Sequence, residues 1–197
     1  MQMHDTTANL PDHIWQRFRA GDTMAYEQLM KLYYMDMFSY GTRFTRDTDL
    51  VKDCLQDIFL LLWNKRQTLG DVRYVKTYLL TALRRKLKKE KDKQRIHYVE
   101  DPFVFESGFD APLPADQQLM LEEYLQEKVY AVRIVLARLT ARQQEMIYLR
   151  FFQEREMEDI VEIMGMNRQS VYNLLHDALK RCKTICGQME LSRPLLG

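Results

Sequence analysis

Between residues 101 and 116 the helical rhythm of this chain stops. The stretch holds three of the five prolines, Pro102, Pro112 and Pro114, together with Gly108 and several acids. Proline inside a helix removes a backbone donor and clashes with the preceding turn, so a helix cannot run through such a segment. On either side, apolar residues recur three and four apart, as they do on one face of a helix. The chain therefore reads as two helical halves joined by a linker. About twenty extended residues reach about 65 Å, so the halves need not touch.

Elsewhere the residues that make turns are scarce. Seven glycines in 197 residues argue against the many turns of an all-β fold. With 46% hydrophobic and 29% charged residues, the composition suits soluble, core-forming domains. The expected fold is all-α: two small helical domains, a flexible acidic linker, and a C-terminal helix-turn-helix. The longest uncharged apolar run, Ile58 to Trp63, is too short to span a bilayer. The first residues show neither a basic start nor an apolar stretch, so no export signal is expected. Three cysteines (Cys54, Cys182 and Cys186) are an odd number, which fits a reducing, cytoplasmic compartment.

A net charge of +1 hides an asymmetry. From Arg73 to His97 there are ten Lys or Arg against two acids; from Tyr98 to Gln126 there are seven acids and no Lys or Arg. Segments so different face differently charged surroundings.

In the first half, Asp22 is placed to cap a helix carrying Tyr26, Leu29, Met30, Tyr33, Met37 and Tyr40, ended or bent at Gly41. A second helix begins near Asp47 to Asp49 and runs through Trp63, with Val51, Leu55, Ile58 and Leu62 on one side. Residues 64–73 read as a loop, and a third helix covers about Tyr74 to Lys93. In the second half, one helix covers about Gln117 to Leu139. Thr140 and Gln143 have the spacing of a capping box and open a helix to about Phe152. Another spans about Met157 to Met164. Gly165, Met166 and Asn167 form a turn, and Asn167 caps a last helix from Arg168 to about Cys186.

Three places carry chemistry. The first is Glu156 to Arg181, where helix, glycine turn and helix follow at helix-turn-helix spacing. Ile160, Ile163 and Met164 would bury against Val171, Leu174, Leu175 and Ala178. At 100° per residue, Gln169, Asn173, His176 and Lys180 then point away, and Gln and Asn are base-reading types. On shape alone an ordinary helical hairpin explains the pattern equally well. The second place is the helix from Tyr74, with Leu79, Leu80, Leu83 and Leu87 on one face and Tyr74, Tyr78, Arg85, Lys88 and Lys89 on the other. Rings interleaved with bases suit single-stranded nucleic acid; a solvated basic face has the same composition. The third is the helix holding Asp53, Gln56, Asp57, Phe59 and Trp63, which periodicity alone does not make a site. Cys182 and Cys186 lie one turn apart without a second ligand pair, so no metal site is expected. No dinucleotide fingerprint, phosphate loop or catalytic triad motif occurs, so neither a cofactor nor catalysis is expected.

Together these residues resemble an extracytoplasmic-function sigma factor of the sigma-70 family. Asp53-x-x-Gln56-Asp57-x-Phe59-x-x-x-Trp63 matches the family's hallmark helix, and Leu139 to Lys183 resembles its C-terminal promoter-reading domain. The resemblance covers about residues 10–95 and 120–186. It implies a first domain at 10–95 that binds the clamp helices of the polymerase β′ subunit and melts the minus-ten element. It implies a linker at 96–119 threading the polymerase, and a domain at 120–188 that rests on the β flap and reads the minus-thirty-five element. Carried over residue by residue, Asp53, Gln56, Asp57, Leu60 and Trp63 would contact polymerase. Arg73, Tyr74, Tyr78, Arg84, Arg85, Lys88 and Lys89 would meet minus-ten DNA. Asn167, Arg168, Gln169, Ser170, Tyr172, Asn173, Lys180 and Arg181 would meet minus-thirty-five DNA. The implied partners are RNA polymerase core, promoter DNA, and an anti-sigma factor or a DNA-targeting partner, with no membrane insertion. Two positions depart from the family pattern: Arg85 stands where Asn is usual, and Val161 where the helix-turn-helix has a small Ala. Two alternatives stay open: a sigma-like factor recruited by a separate DNA-binding partner, and a dimeric helix-turn-helix regulator.

Overall fold

The computed structural model describes residues 10–70, 72, 74–94 and 130–192. All regular structure among them is helical. The helices are α1 (Leu10–Arg19), α2 (Thr23–Gly41), α3 (Thr48–Lys65), α4 (Val75–Gln94), α5 (described over 130–137), α6 (Ala141–Ile147), α7 (Met157–Met164) and α8 (Arg168–Ser192). They fall into two compact units. One holds α1 to α4 together with residues 158–165; the other holds the described residues of 102–157 and 166–197. The expected linker, 96–119, and the first part of the helix expected from Gln117 lie outside the described residues.

In the first unit α4 packs against α1, α2 and α3. Its leucines Leu79, Leu80, Leu83 and Leu87 are fully buried, as the apolar spacing requires. Around them lie Trp15 and Phe18 of α1, Leu29, Met37 and Tyr40 of α2, and Val51, Leu55 and Ile58 of α3. Helix α1 is the element the sequence reading missed, although Ile14, Trp15 and Phe18 follow the i, i+1, i+4 spacing of a buried stripe. Its tight exit to α2 uses Gly21 at φ +95°, where a side chain would be strained.

Asp22 joins the two helices. One carboxylate oxygen accepts from the backbone N–H groups of Met24 (2.8 Å) and Ala25 (3.1 Å), capping α2. The other accepts from Arg17 at 2.8 and 2.5 Å. The Ala25 amide, then the Arg17 guanidinium, hold the Asp22 carboxyl below its ordinary value. At the other end of α2, Gly41 does not act as a left-handed stop. It lets helices close in: a Cβ there would stand 2.6 Å from Val51 Cγ1 and 3.5 Å from Leu83 Cδ2.

The second unit is organised by α6 and α8, which pack together. The Thr140–Gln143 capping box is present in both directions, at 3.4 and 3.1 Å. Gln144, buried, donates to the Leu136 carbonyl at 2.7 Å and ties the end of α5 to α6. Leu136, Leu139, Ile147 and Ala178 form the core, with Phe152, Leu175 and Cys182 packed against it. Two boundaries differ from expectation. The α6 helix stops at Ile147, and Tyr148–Phe152 widen into a π turn closed by the Gln153 N–H on the Tyr148 carbonyl (3.0 Å). The last helix continues six residues past Cys186, to Ser192, because no proline or left-handed residue stops it there.

Two outcomes follow. Gly41→Ala forces Val51 and Leu83 aside and lowers unfolding free energy by about 1–3 kcal/mol in urea titration. Asp22→Asn keeps a capping oxygen but loses the charge. Because the Asp22 pKa is lowered on folding, its contribution is present above pH 3.8 and is lost as pH falls through the folded value. The thermal midpoint of the variant should lie below wild type near neutral pH and meet it in strong acid.

Candidate nucleic-acid interface

Helix α3 is split lengthwise. Val51, Cys54, Leu55, Ile58, Phe59 and Leu62 are buried. Asp53, Gln56, Asp57 and Leu60, spaced three and four apart, form an exposed stripe on the other side. Leu60 is 51% exposed and its neighbour Leu61 53%. Trp63 continues the stripe along the backbone, but its ring turns inward. It lies 5.0 Å from Tyr26 and 6.5 Å from Phe18, with the Arg66 guanidinium 4.2 Å above its face. Asp57 also has a partner the sequence did not reveal: Lys86 of α4, at 2.7 Å. That carboxylate holds the Lys86 ammonium above the ordinary lysine value.

On α4, burial of the leucines turns Arg85, Lys88 and Lys89 into solvent. Tyr74, immediately before the helix, is half-exposed, and its carbonyl accepts the Tyr78 N–H at 3.1 Å. The Tyr78 ring meets Trp15 of α1 edge-on, with centroids 5.9 Å apart. Arg84 is half-buried, and Arg73 lies outside the described residues. The structure thus brings Tyr74, Tyr78, Arg85 and Lys89 to one face and adds α1 behind it. Thr77 and Thr81, buried beside the leucines, were not anticipated; the Thr81 hydroxyl donates to the Thr77 carbonyl at 2.7 Å.

Helix α7 ends at a turn in which Gly165 takes φ +61°. Asn167 then caps α8: its side-chain oxygen accepts the Ser170 N–H at 2.8 Å, and its carbonyl accepts the Val171 N–H at 3.1 Å. Ile160, Ile163 and Met164 of α7 are buried, and so are Val171 and Ala178 of α8. Leu174 and Leu175, expected in the core, are only half-buried. The outward side of α8 carries Arg168, Gln169, Tyr172, Asn173, His176, Lys180 and Arg181, with Ser170 half-buried at its edge. Gln169 and Asn173 are hydrogen-bonded to each other at 2.9 Å, and the Arg168 guanidinium lies 5.6 Å from the Tyr172 ring. Arg181 donates its Nε–H to the Arg138 carbonyl at 2.9 Å, which leaves its other N–H groups on the surface. Cys182 is half-buried and Cys186 exposed; burial raises the Cys182 pKa. Among the described residues no three His, Cys, Asp or Glu side chains cluster as metal ligands.

Residues 131–182 match the family model for sigma-70, region 4. The chain is 26% identical over 158 residues to the RNA polymerase sigma factor YlaC of Bacillus subtilis, covering 77% of this chain and 86% of that one. It is 24% identical over 162 residues to the ECF RNA polymerase sigma factor SigX of the same organism, covering 79% and 80%. Along most of its length the chain is thus similar to extracytoplasmic-function sigma factors, and its C-terminal part matches region 4 of the sigma-70 family. Helix α7, the turn at Gly165 and the first part of α8 lie within that region 4 match and follow one another as helix, turn and helix. The fold is similar to that of CnrH in complex with the cytosolic domain of CnrY, with a TM-score of 0.59 at 15% identity over 90% of this chain and 98% of that chain. It is also similar to the sigma factor RpoE in complex with the anti-sigma factor NepR from Bartonella quintana, with a TM-score of 0.58 at 18% identity over 82% and 96%.

The exposed and the buried residues of α8 separate by stability. Gln169→Ala and Asn173→Ala should each shift unfolding free energy by no more than about 0.5 kcal/mol. Val171→Ala, fully buried, should cost about 1–3 kcal/mol in the same chemical denaturation.

Proposed function

We propose that this chain is a sigma factor, which binds bacterial RNA polymerase core and directs it to promoters, without chemistry of its own. The reading places core and minus-ten binding in residues 10–95 and minus-thirty-five binding in residues 120–188, joined by residues 96–119. The observation that carries it is the exposed stripe of α3. Asp53, Gln56, Asp57 and Leu60 stand in solvent on a helix whose other face is core, and the three polar ones belong to the hallmark motif. A mixed polar and apolar stripe on a rigid helix suits a protein partner better than a nucleic acid, and the β′ clamp helices are the proposed one.

The other two surfaces have the chemistry of the two DNA elements. Tyr74 and Tyr78 offer rings to unstacked bases of the melted strand, with Arg73, Arg84, Arg85, Lys88 and Lys89 for its phosphates. Gln169 and Asn173, in the first part of α8, suit base edges of the upstream duplex. Asn167 and Ser170 at the helix start, together with Lys180 and Arg181 further along, suit phosphates. The two similar solved structures each hold a second protein, one of them an anti-sigma factor, which supports such a partner here. No described helix is long and apolar enough to cross a membrane; the proposed place of action is the cytoplasm.

A second reading, recruitment by a DNA-targeting partner, draws on acids exposed around the first helix of the helix-turn-helix: Glu154, Glu156, Glu158 and Glu162. Negative charge there opposes the approach of phosphates.

Run-off transcription with purified core tests both readings. Transcription from promoters should depend on this chain alone; dependence on an added DNA-binding protein would favour recruitment. Gln56→Ala combined with Leu60→Ala should weaken core binding about thirtyfold, about 2 kcal/mol, at an unchanged unfolding midpoint. Tyr78→Ala should slow opening of duplex promoters more than of pre-melted ones.

A further inference from the structure

Lys86 belongs to none of the three surfaces, yet it touches one of them and sits on the helix of another. It stands on α4 between exposed Arg85 and buried Leu87, so its stem runs along the boundary of the core. The nearest acid on its own helix, one turn on, is Glu90. That carboxylate is taken by Lys93, at 2.9 and 3.1 Å. The ammonium of Lys86 crosses instead to α3 and meets Asp57 Oδ2 at 2.7 Å. The Lys86 side chain is 28% exposed and that of Asp57 61%. One end of the pair is therefore held at the helix boundary while the other faces solvent.

We propose that Lys86 is a positioning residue for polymerase docking: it holds Asp57 in the conformation in which the α3 stripe meets its partner. The inference rests on the docking role of α3 given above and adds a residue outside the hallmark motif. An unanchored aspartate on an exposed helix face samples several rotamers and must be ordered on binding, at a cost per side chain that Lys86 removes in advance. Because Lys86 belongs to α4, the same ion pair joins the polymerase-facing helix to the strand-facing one.

The test measures affinity of the full chain for RNA polymerase core by fluorescence anisotropy, alongside unfolding midpoints. Lys86→Met should weaken binding about fivefold, the range of an ordered side chain or a partly exposed ion pair. Lys86→Arg should restore affinity to within about twofold, since a guanidinium reaches the same oxygen. Lys86→Met combined with Asp57→Asn should bind no more weakly than Asp57→Asn alone, because each change removes the same interaction. The charge swap, Asp57→Lys with Lys86→Asp, should recover the unfolding midpoint but not core affinity. Wild-type affinity in Lys86→Met, additive losses in the double variant, or recovery of affinity by the swap would each overturn the role of Lys86. The Gln56→Ala, Leu60→Ala variant separates the two levels. Its normal binding overturns the docking role of α3 itself, whereas its loss together with normal binding by Lys86→Met overturns the positioning role alone.

Discussion

The first unit depends on burial of four leucines. Leu79, Leu80, Leu83 and Leu87 put one side of α4 against three other helices and leave almost none of it in water. Each such side chain contributes about 1.5–3 kcal/mol relative to exposure. Their burial fixes the rotation of α4 about its axis, and that rotation decides where every other residue of the helix points. Arg85, Lys88 and Lys89 are in solvent because the leucines are not. The exposed stripe of α3 arises in the same way, from Val51, Leu55, Ile58 and Phe59 packing inward. In both helices the surface proposed for binding is the complement of the core.

That dependence explains what could be read from the sequence. Periodicity reports burial, so the α4 leucines, the α3 stripe and the outward side of α8 were legible from spacing alone. Caps were legible too, because Asp22, Thr140 and Asn167 act on amides two or three residues away. Contacts between helices were not. The Lys86–Asp57 pair requires the register of α4 against α3, which no local pattern encodes. Trp15 against Tyr78 is similar: the spacing in α1 marks a buried face without saying what lies across from it. Gly41 is the last residue of α2, as expected, but its second role was hidden for a related reason. A glycine near a helix end suggests a stop; it does not reveal that the missing side chain also makes room for Val51 from another helix.

The second unit shows where local rules yield. A capping box opens α6 as expected, but the helix widens after Ile147 and the chain passes through Glu154 at φ +52°, a conformation that costs an ordinary side chain energy. The turn is held by several bonds at once. The Arg155 N–H reaches the Leu149 carbonyl at 2.9 Å, the Arg155 side chain the Gln153 carbonyl at 2.7 Å, and Arg150 the Arg155 carbonyl at 2.9 Å. These contacts outweigh the preference of residue 154 for ordinary backbone angles, and composition alone gives no sign of them.

The chain has two tryptophans, Trp15 and Trp63, and both belong to the aromatic cluster of the first unit, with Phe18 and Tyr26 between them. One indole is sealed in the core; the other lies beneath a guanidinium. Intrinsic tryptophan emission is thus a private reporter of that unit, while the second unit, served by tyrosines such as Tyr148 and Tyr172, is nearly dark in the same spectrum. Light emitted by this protein tracks the half proposed to hold polymerase and ignores the surface proposed to read DNA at the start of α8.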